Sequence, residues 1–286
     1  MIRFAAFADE ASSTLEGQIA ALHRNRIPYI EVRSLDGVNI ADISEEDAMR
    51  YADRFAEEKI QVWSIGSPLG KIDIDCDFNA YQEKVRHICR LAQIFGTDKI
   101  RMFSFYNAYE SEKTVLAYLR VMVKIAAGYG VCLYHENEKK IYGDTVERVL
   151  RLAENVEGLR FVYDPANYIE VGADVAAALD ALYAITGYFH IKDLVASTEE
   201  RVPAGYGDAL IGELADRIGT EDRVMTLEPH LTVFKGYAEI DGTELKSRFH
   251  YADGNEAFDA AAESLKQVLL THGYRYDESV KGFVKT

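Results

Sequence analysis

Val131-Cys132-Leu133-Tyr134-His135-Glu136-Asn137-Glu138 is a short apolar run that ends abruptly in charge. Bounded by Gly130 and a polar cluster, it reads as a buried parallel strand, and such strands present functional groups where they emerge at their carboxyl ends. Glu136 sits at that emergence. Three later segments repeat the design: Phe161-Val162-Tyr163-Asp164, Tyr188-Phe189-His190, and Val224-Met225-Thr226-Leu227-Glu228. Two Glu, one Asp and one His at four successive strand ends suggest one site built by four strands.

Outward from these strands, strand-like and helix-like segments alternate along the whole chain, which points to βα units around a parallel sheet. The strands expected before the opening stretch are Ile2 to Phe7, Tyr29 to Val32, Ile60 to Ile65 and Ile100 to Phe105. Ser12 or Ser13 is expected to cap the first helix, and Ser44 the second, with acids behind it where the helix dipole favours them. Helices over Thr145–Ala153, Val175–Ala184, Ala209–Ile218 and Ala257–Leu270 separate and follow the later strands. Eight strands and eight helices are what a single (β/α)8 TIM barrel requires. The surplus over that fold's usual length lies after the last strand, and Phe234 to Gly242 alternates and turns like a hairpin, so an insertion around 231–254 is expected on the catalytic face.

Composition narrows the partners. The chain has 286 residues, 48% of them hydrophobic, enough to bury one full core. With 47 acidic and 32 basic residues the net charge is -15, which opposes nucleic acid and anionic membranes. Cys76, Cys89 and Cys132 form no CxxC pair and fit a reducing compartment. There is no cationic leader followed by an apolar stretch and no apolar run of about 18 residues, so a cytoplasmic protein without a membrane span is expected. A homo-oligomer stays open.

In a barrel, the carboxyl ends of strands five to eight converge on one mouth, so Glu136, Asp164, His190 and Glu228 could approach a common ion. Three carboxylates and one imidazole form an oxygen-rich set that suits Mn2+ or Mg2+ first, with Zn2+ or Co2+ as alternatives. Lys192, two residues after His190, would face the same side of its strand and polarise a substrate oxygen, or else bridge Asp193 or Glu228. Gly205-Tyr206-Gly207 could offer N–H groups to an anion, or be a plain tight turn. His135 and His230, beside two of the ligand candidates, and Lys71, in the loop after the third strand, are candidates for binding substrate. Glu31 and Arg33 share a strand face and would form a buried pair.

Taken together and in order, these motifs carry a resemblance to the xylose isomerase-like TIM-barrel superfamily, the sugar isomerases and epimerases also called AP endonuclease family 2 barrels. Ala8-Asp9-Glu10, Ile30-Glu31-Val32-Arg33, Ser67-Pro68-Leu69-Gly70-Lys71 and Arg101-Met102-Phe103-Ser104 carry it in the first half. His135-Glu136-Asn137-Glu138, Asp164-Pro165-Ala166-Asn167, His190-Ile191-Lys192-Asp193, Pro203 to Gly207 and Leu227-Glu228-Pro229-His230 carry it in the second. The resemblance to the ketose 3-epimerases of this group implies one divalent ion on Glu136, Asp164, His190 and Glu228, with Glu136 and Glu228 exchanging a substrate proton. Where those epimerases place a His three residues after the metal-binding Asp, this chain has Asn167, which keeps a substrate-binding role but cannot titrate. The expected activity is a metal-dependent isomerase or epimerase of a sugar or sugar-like polyol, with proton abstraction alpha to a carbonyl. The alternative is a lyase, a keto-polyol dehydratase or a carbon-glycoside cleaving enzyme. The superfamily's nuclease chemistry needs several metals, many His ligands and a basic face, against seven His and strong negative charge here.

Overall fold

Side chains alternate across a strand, so in a closed barrel every second residue points inward. The computed structural model describes residues 1–231 and 248–286 and contains the eight expected strands: Ile2–Ala6 (β1), Tyr29–Val32 (β2), Gln61–Gly66 (β3), Lys99–Met102 (β4), Cys132–Glu136 (β5), Arg160–Tyr163 (β6), Thr186–Ile191 (β7) and Arg223–Leu227 (β8). They pair in chain order, all parallel, and β8 pairs back onto β1 with Ile2 opposite Arg223 and Ala6 opposite Leu227. The eight parallel strands therefore close on themselves. The hairpin expected over 234–242 falls outside the described residues.

Around the barrel lie Leu15–Arg24 (α1), Glu45–Glu57 (α2), Phe78–Ile94 (α3), Glu112–Gly128 (α4), Val146–Asn155 (α5), Pro165–Glu170 (α6), Val175–Leu182 (α7), Ile211–Ile218 (α8) and Gly254–Thr271 (α9). The first cap differs from expectation: Thr14, not Ser12 or Ser13, accepts the Gly17 N–H, and Ser12 Oγ instead bonds the Thr14 hydroxyl. Ser44 caps α2 as expected. The short α6 makes a ninth helix among the described residues. Its signal stands in the sequence, since Asp164 followed by Pro165 is a capping residue before a proline at the first helical position.

The lower interior is filled by rings: Trp63 lies 5.9 Å from both Tyr29 and Tyr188, and Tyr134 lies 5.4 Å from Tyr188. This plug makes the barrel a packed core with one open mouth. At the amino-terminal end of the barrel the chain adds a hairpin of Tyr274–Asp277 (β9) and Gly282–Lys285 (β10), with Phe283 opposite Ile2 and stacked on Phe4. Sequence reading ended at α9 and missed it.

The β3 loop shows how backbone chemistry shapes the mouth. Gly70 has φ +86, and a Cβ there would meet the Phe103 carbonyl oxygen at 2.0 Å. Its N–H is held by Tyr81 Oη at 2.7 Å and its carbonyl accepts the Phe105 N–H. No L side chain fits, and Lys71 is aimed by this turn. Gly70→Ala is expected to destabilise the fold by about 3 kcal/mol, as strain and a backbone clash combine. Urea melts check this; a loss under about 1 kcal/mol would mean that the loop shifts freely.

Candidate active site

Inward parity on the last four strands puts Tyr134 and Glu136, Val162 and Asp164, Tyr188, His190 and Lys192, and Val224, Thr226 and Glu228 inside the barrel. Glu136, Asp164, His190 and Glu228 meet there: one ligand atom from each lies within 4.8 Å of the others, and all four residues are buried. His190 Nδ1 lies 3.2 Å from Glu136 Oε1 and 3.2 Å from Glu228 Oε2. His190 Nδ1 and Glu228 Oε2 are buried without a hydrogen-bond partner, and Asp164 Oδ2 has only the Lys192 ammonium beside it. Three buried atoms of the kind that ligate cations, converging within one small cluster, fit a hard divalent ion.

Each ligand is held from behind. Asp164 caps α6 with Oδ1, which accepts the Asn167 N–H at 3.1 Å, so its other oxygen is left for the site. The Asn137 side chain brackets the Asp164 backbone, accepting its N–H and donating to its carbonyl, both at 2.9 Å. His190 Nε2 lies 3.1 Å from Glu31 Oε2. A carboxylate only accepts, so Nε2 carries the proton and Nδ1 is turned to the site. Glu31 is fixed in turn by Tyr188 Oη and Thr226 Oγ1, each at 3.0 Å.

Cations balance the buried acids. Lys192 Nζ lies 2.9 Å from Asp164 Oδ2, Arg101 Nε 3.2 Å from Glu136 Oε2, and Arg33 Nη1 3.0 Å from Glu228 Oε1. Burial alone would raise Glu136, but His190 and then Arg101 hold it down to about 2. Glu228 is likewise held well below the carboxylate range despite burial, chiefly by Lys192 and His190. Asp164 is pushed up to about 6 by burial, only partly offset by Lys192. Burial would lower His190 and Lys192, yet the surrounding carboxylates raise both.

Above the cluster is a cavity of about 360 Å3 at the lower end of small-ligand pockets, bordered by Arg33, Lys71, Arg101, Phe103, Lys192 and His230. Asn167 reaches it, with Nδ2 3.3 Å from Glu136 Oε1. Lys71 reaches it too, 2.8 Å from Glu138 Oε2 and 4.2 Å above the Phe103 ring. A larger cleft of about 700 Å3 on the outer flank between α8 and α9 holds none of the four ligand candidates.

Four expectations need correction. His135 does not enter the pocket: next to Glu136 on β5, it must face the helix layer, where Nε2 lies 2.8 Å from Ser104 Oγ and a Cβ on Gly143 would touch its ring. Lys192 pairs with Asp164 and with neither Asp193 nor Glu228. Gly205 and Gly207 do offer N–H groups to an anion, but it is the Asp193 carboxylate of this chain, which also accepts from Ala209. Glu31 and Arg33 share a face but not a contact, because one sits under His190 and the other at the rim. Arg101 was quoted in sequence only as part of a motif; its inward parity on β4 was the available signal.

A closed parallel barrel with buried acids, an imidazole and cations at its carboxyl mouth defines a barrel of the enzyme-site type, with the site at the strand ends. The chain belongs to the xylose isomerase-like TIM barrel family, whose sequence model matches residues 20–267. No curated protein matches it. Among solved structures it is similar to the probable 3-DHS dehydratase AsbF involved in petrobactin synthesis from Bacillus anthracis, with 18% identity, TM-score 0.70, and 95% of this chain and 99% of that one covered. It is similar to an L-ribulose 3-epimerase, with 19% identity, TM-score 0.69, and 95% and 96% covered. A D-allulose 3-epimerase from Methylomonas sp. gives 17%, 0.69, 93% and 98%. Among the described residues no helix is long and apolar enough to cross a membrane.

His135 yields a stability test. Burial pushes its pKa down to about 3, so between roughly pH 6.5 and that value the unfolded chain binds a proton that the folded chain refuses. This contribution is complete above the unfolded pKa and is lost on acidification, at up to about 1.4 kcal/mol per pH unit. His135→Gln is expected to flatten the fall of Tm between about pH 6.5 and 4. Parallel melting curves for wild type and variant across that window would contradict it.

Proposed function

We propose that this chain is a divalent-metal-dependent isomerase or epimerase of a sugar or sugar-like polyol, acting by removal of a proton alpha to a carbonyl. The observation that carries this reading is the convergence of buried Glu136, Asp164, His190 and Glu228, with His190 Nδ1 3.2 Å from both glutamates. Glu136, Asp164, His190 and Glu228 would hold the ion, Mn2+ or Mg2+ in preference. When bound, it would supply the positive charge that a developing enediolate needs, worth several kcal/mol in a site closed to water.

The chain's own groups do the rest. Glu136 and Glu228, each 3.2 Å from His190 Nδ1, would take the proton and return it. Asn167 holds Glu136 Oε1 and cannot exchange a proton, so its role is orientation. Lys192, ringed by acids, presents a fixed positive charge to a substrate oxygen. His230 and Lys71 would bind hydroxyls at the rim, where Phe7 lies against Arg33 and Arg101, and Phe103 against Arg101 and Lys71. The named epimerases support the reading, and the named dehydratase supports a second one. A lyase on the same site is favoured by Asn167, an amide where proton return to the opposite face would use a titratable group. The free thiols of Cys76, Cys89 and Cys132 support a cytoplasmic location.

One Mn2+ per chain is expected by metal analysis, with His190→Ala reducing retention; equal tight content in both proteins refutes the site. Affinity is expected to fall as pH drops through about 6, since a proton on Asp164 competes with the ion. Incubation with ketoses, aldoses and inososes in D2O should show exchange of a carbon-bound proton by NMR. Glu136→Gln and Glu228→Gln should each slow it at least ~100-fold. Turnover that keeps every carbon-bound proton rules the mechanism out, and an enone product selects the lyase.

A further inference from the structure

A second group of ligand-competent atoms lies beside the first. Glu10, Glu228 and His230 bring one such atom each within 4.8 Å of one another. Glu228 belongs to both groups: Oε2 faces His190 Nδ1 at 3.2 Å, while Oε1 lies 3.4 Å from His230 Nε2. Glu10 Oε1 completes the second group, 3.2 Å from the same His230 nitrogen. A carboxylate shared between two such groups is how paired divalent ions are commonly held, about 3.5–4 Å apart.

In this chain a side chain already fills the second position. Arg33 Nη1 lies 3.0 Å from Glu228 Oε1 and 3.4 Å from His230 Nε2, and Nη2 lies 3.4 Å from Glu10 Oε1. The guanidinium is gripped from the other side by Asp9, at 2.9 Å on Nε and 3.0 Å on Nη2. Asp9 is itself fixed by Ser34 Oγ at 2.9 Å, and the Arg33 plane lies 4.6 Å over the Phe7 ring. A two-pronged carboxylate grip with ring stacking leaves this group little freedom, and a guanidinium stays charged at any pH the protein survives.

We infer that Arg33 is a built-in second cation: it occupies the Glu10–Glu228–His230 position and so limits the site to one exchangeable ion. The inference rests on reading Glu136, Asp164, His190 and Glu228 as the metal site. Its chemical consequence is specific. A divalent ion in that position would carry water and lower its pKa towards hydroxide, whereas a guanidinium offers charge and hydrogen bonds without a nucleophile. Carbon-acid chemistry gains from a positive rim that carries no nucleophile, and two-metal hydrolysis is closed off. Arg33 also fixes Glu228 Oε1, leaving Oε2 for the ion.

The test counts ions rather than turnover. Metal-free wild type, Arg33→Lys and Arg33→Met are titrated with Mn2+ by calorimetry and by electron paramagnetic resonance, with circular dichroism as the check on folding. One equivalent is expected for wild type and Arg33→Lys. A second, weaker equivalent is expected for Arg33→Met, with loss of resonance intensity as the two ions couple, and Glu10→Gln in that background should abolish it. A folded Arg33→Met that binds a single ion overturns the inference, and so does a wild type that binds two. Should Arg33→Met not fold, Asp9→Asn loosens the guanidinium without removing a ligand; a second equivalent at millimolar Mn2+ is then expected, and its absence overturns the inference. A wild type that binds none sinks the metal site itself, which is a different failure.

Discussion

Uncompensated negative charge in the barrel mouth is the constraint around which the structure is arranged. Glu31, Glu136, Asp164 and Glu228 are all buried, and an isolated carboxylate in such surroundings would give up its charge by binding a proton. The chain answers with three cations on the flanks of the cluster, one for each acid that faces the centre: Arg101 at Glu136, Lys192 at Asp164 and Arg33 at Glu228. Both arginines lie over Phe7, at 4.6 and 5.3 Å, so a single ring on the first strand seats the two guanidiniums. Arg101 and Arg33 pair with the outer oxygens of Glu136 and Glu228, while Lys192 sits beside the inner oxygen of Asp164.

Rigidity follows from the same arrangement. The acids sit at strand ends or one residue beyond, where ladder bonds hold the backbone, and their second atoms are occupied by a helix N-terminus, an amide or an arginine. Glu31 extends this downward: with Tyr188 and Thr226 it links the ligand layer to the aromatic plug below. Displacing His190 would therefore disturb the packing of the barrel floor as well as the site. Positioning of about half an ångström, which proton transfer demands, is plausible only on such supports.

The barrel was legible because short apolar runs and βα alternation are local signals, present in each segment separately. The four residues that converge at the mouth were legible for a related reason, since every one ends an apolar run. His135 could have been set aside by that same alternation: if Glu136 faces inward, its neighbour cannot. The partners of Glu31 and Arg33 were not accessible in this way. They depend on how far each strand is shifted against the next, and the irregularity between Ile30 and Glu31 on the β2–β3 ladder alters that shift without any mark in the sequence. Arg101 meets Glu136 only because β4 and β5 lie in a register that places Arg101 opposite Tyr134. Pairings across strands are long-range facts, and spacing along one strand does not encode them.

Lys192 bears on the choice between isomerisation and elimination. Expelling a hydroxyl requires an acid beside the leaving oxygen, and a general acid works best when its pKa lies near the working pH. Asp164, Glu228 and Glu136 hold the Lys192 ammonium protonated against its burial, so it gives up its proton reluctantly. A group of this kind stabilises an oxyanion in place better than it protonates a departing one. Glu136 and Glu228, held ionised, are equally unsuited to begin as acids, though either becomes one after taking the substrate's proton. If one glutamate takes a proton from carbon, as proposed, returning that proton to carbon would complete an isomerisation without any further donor.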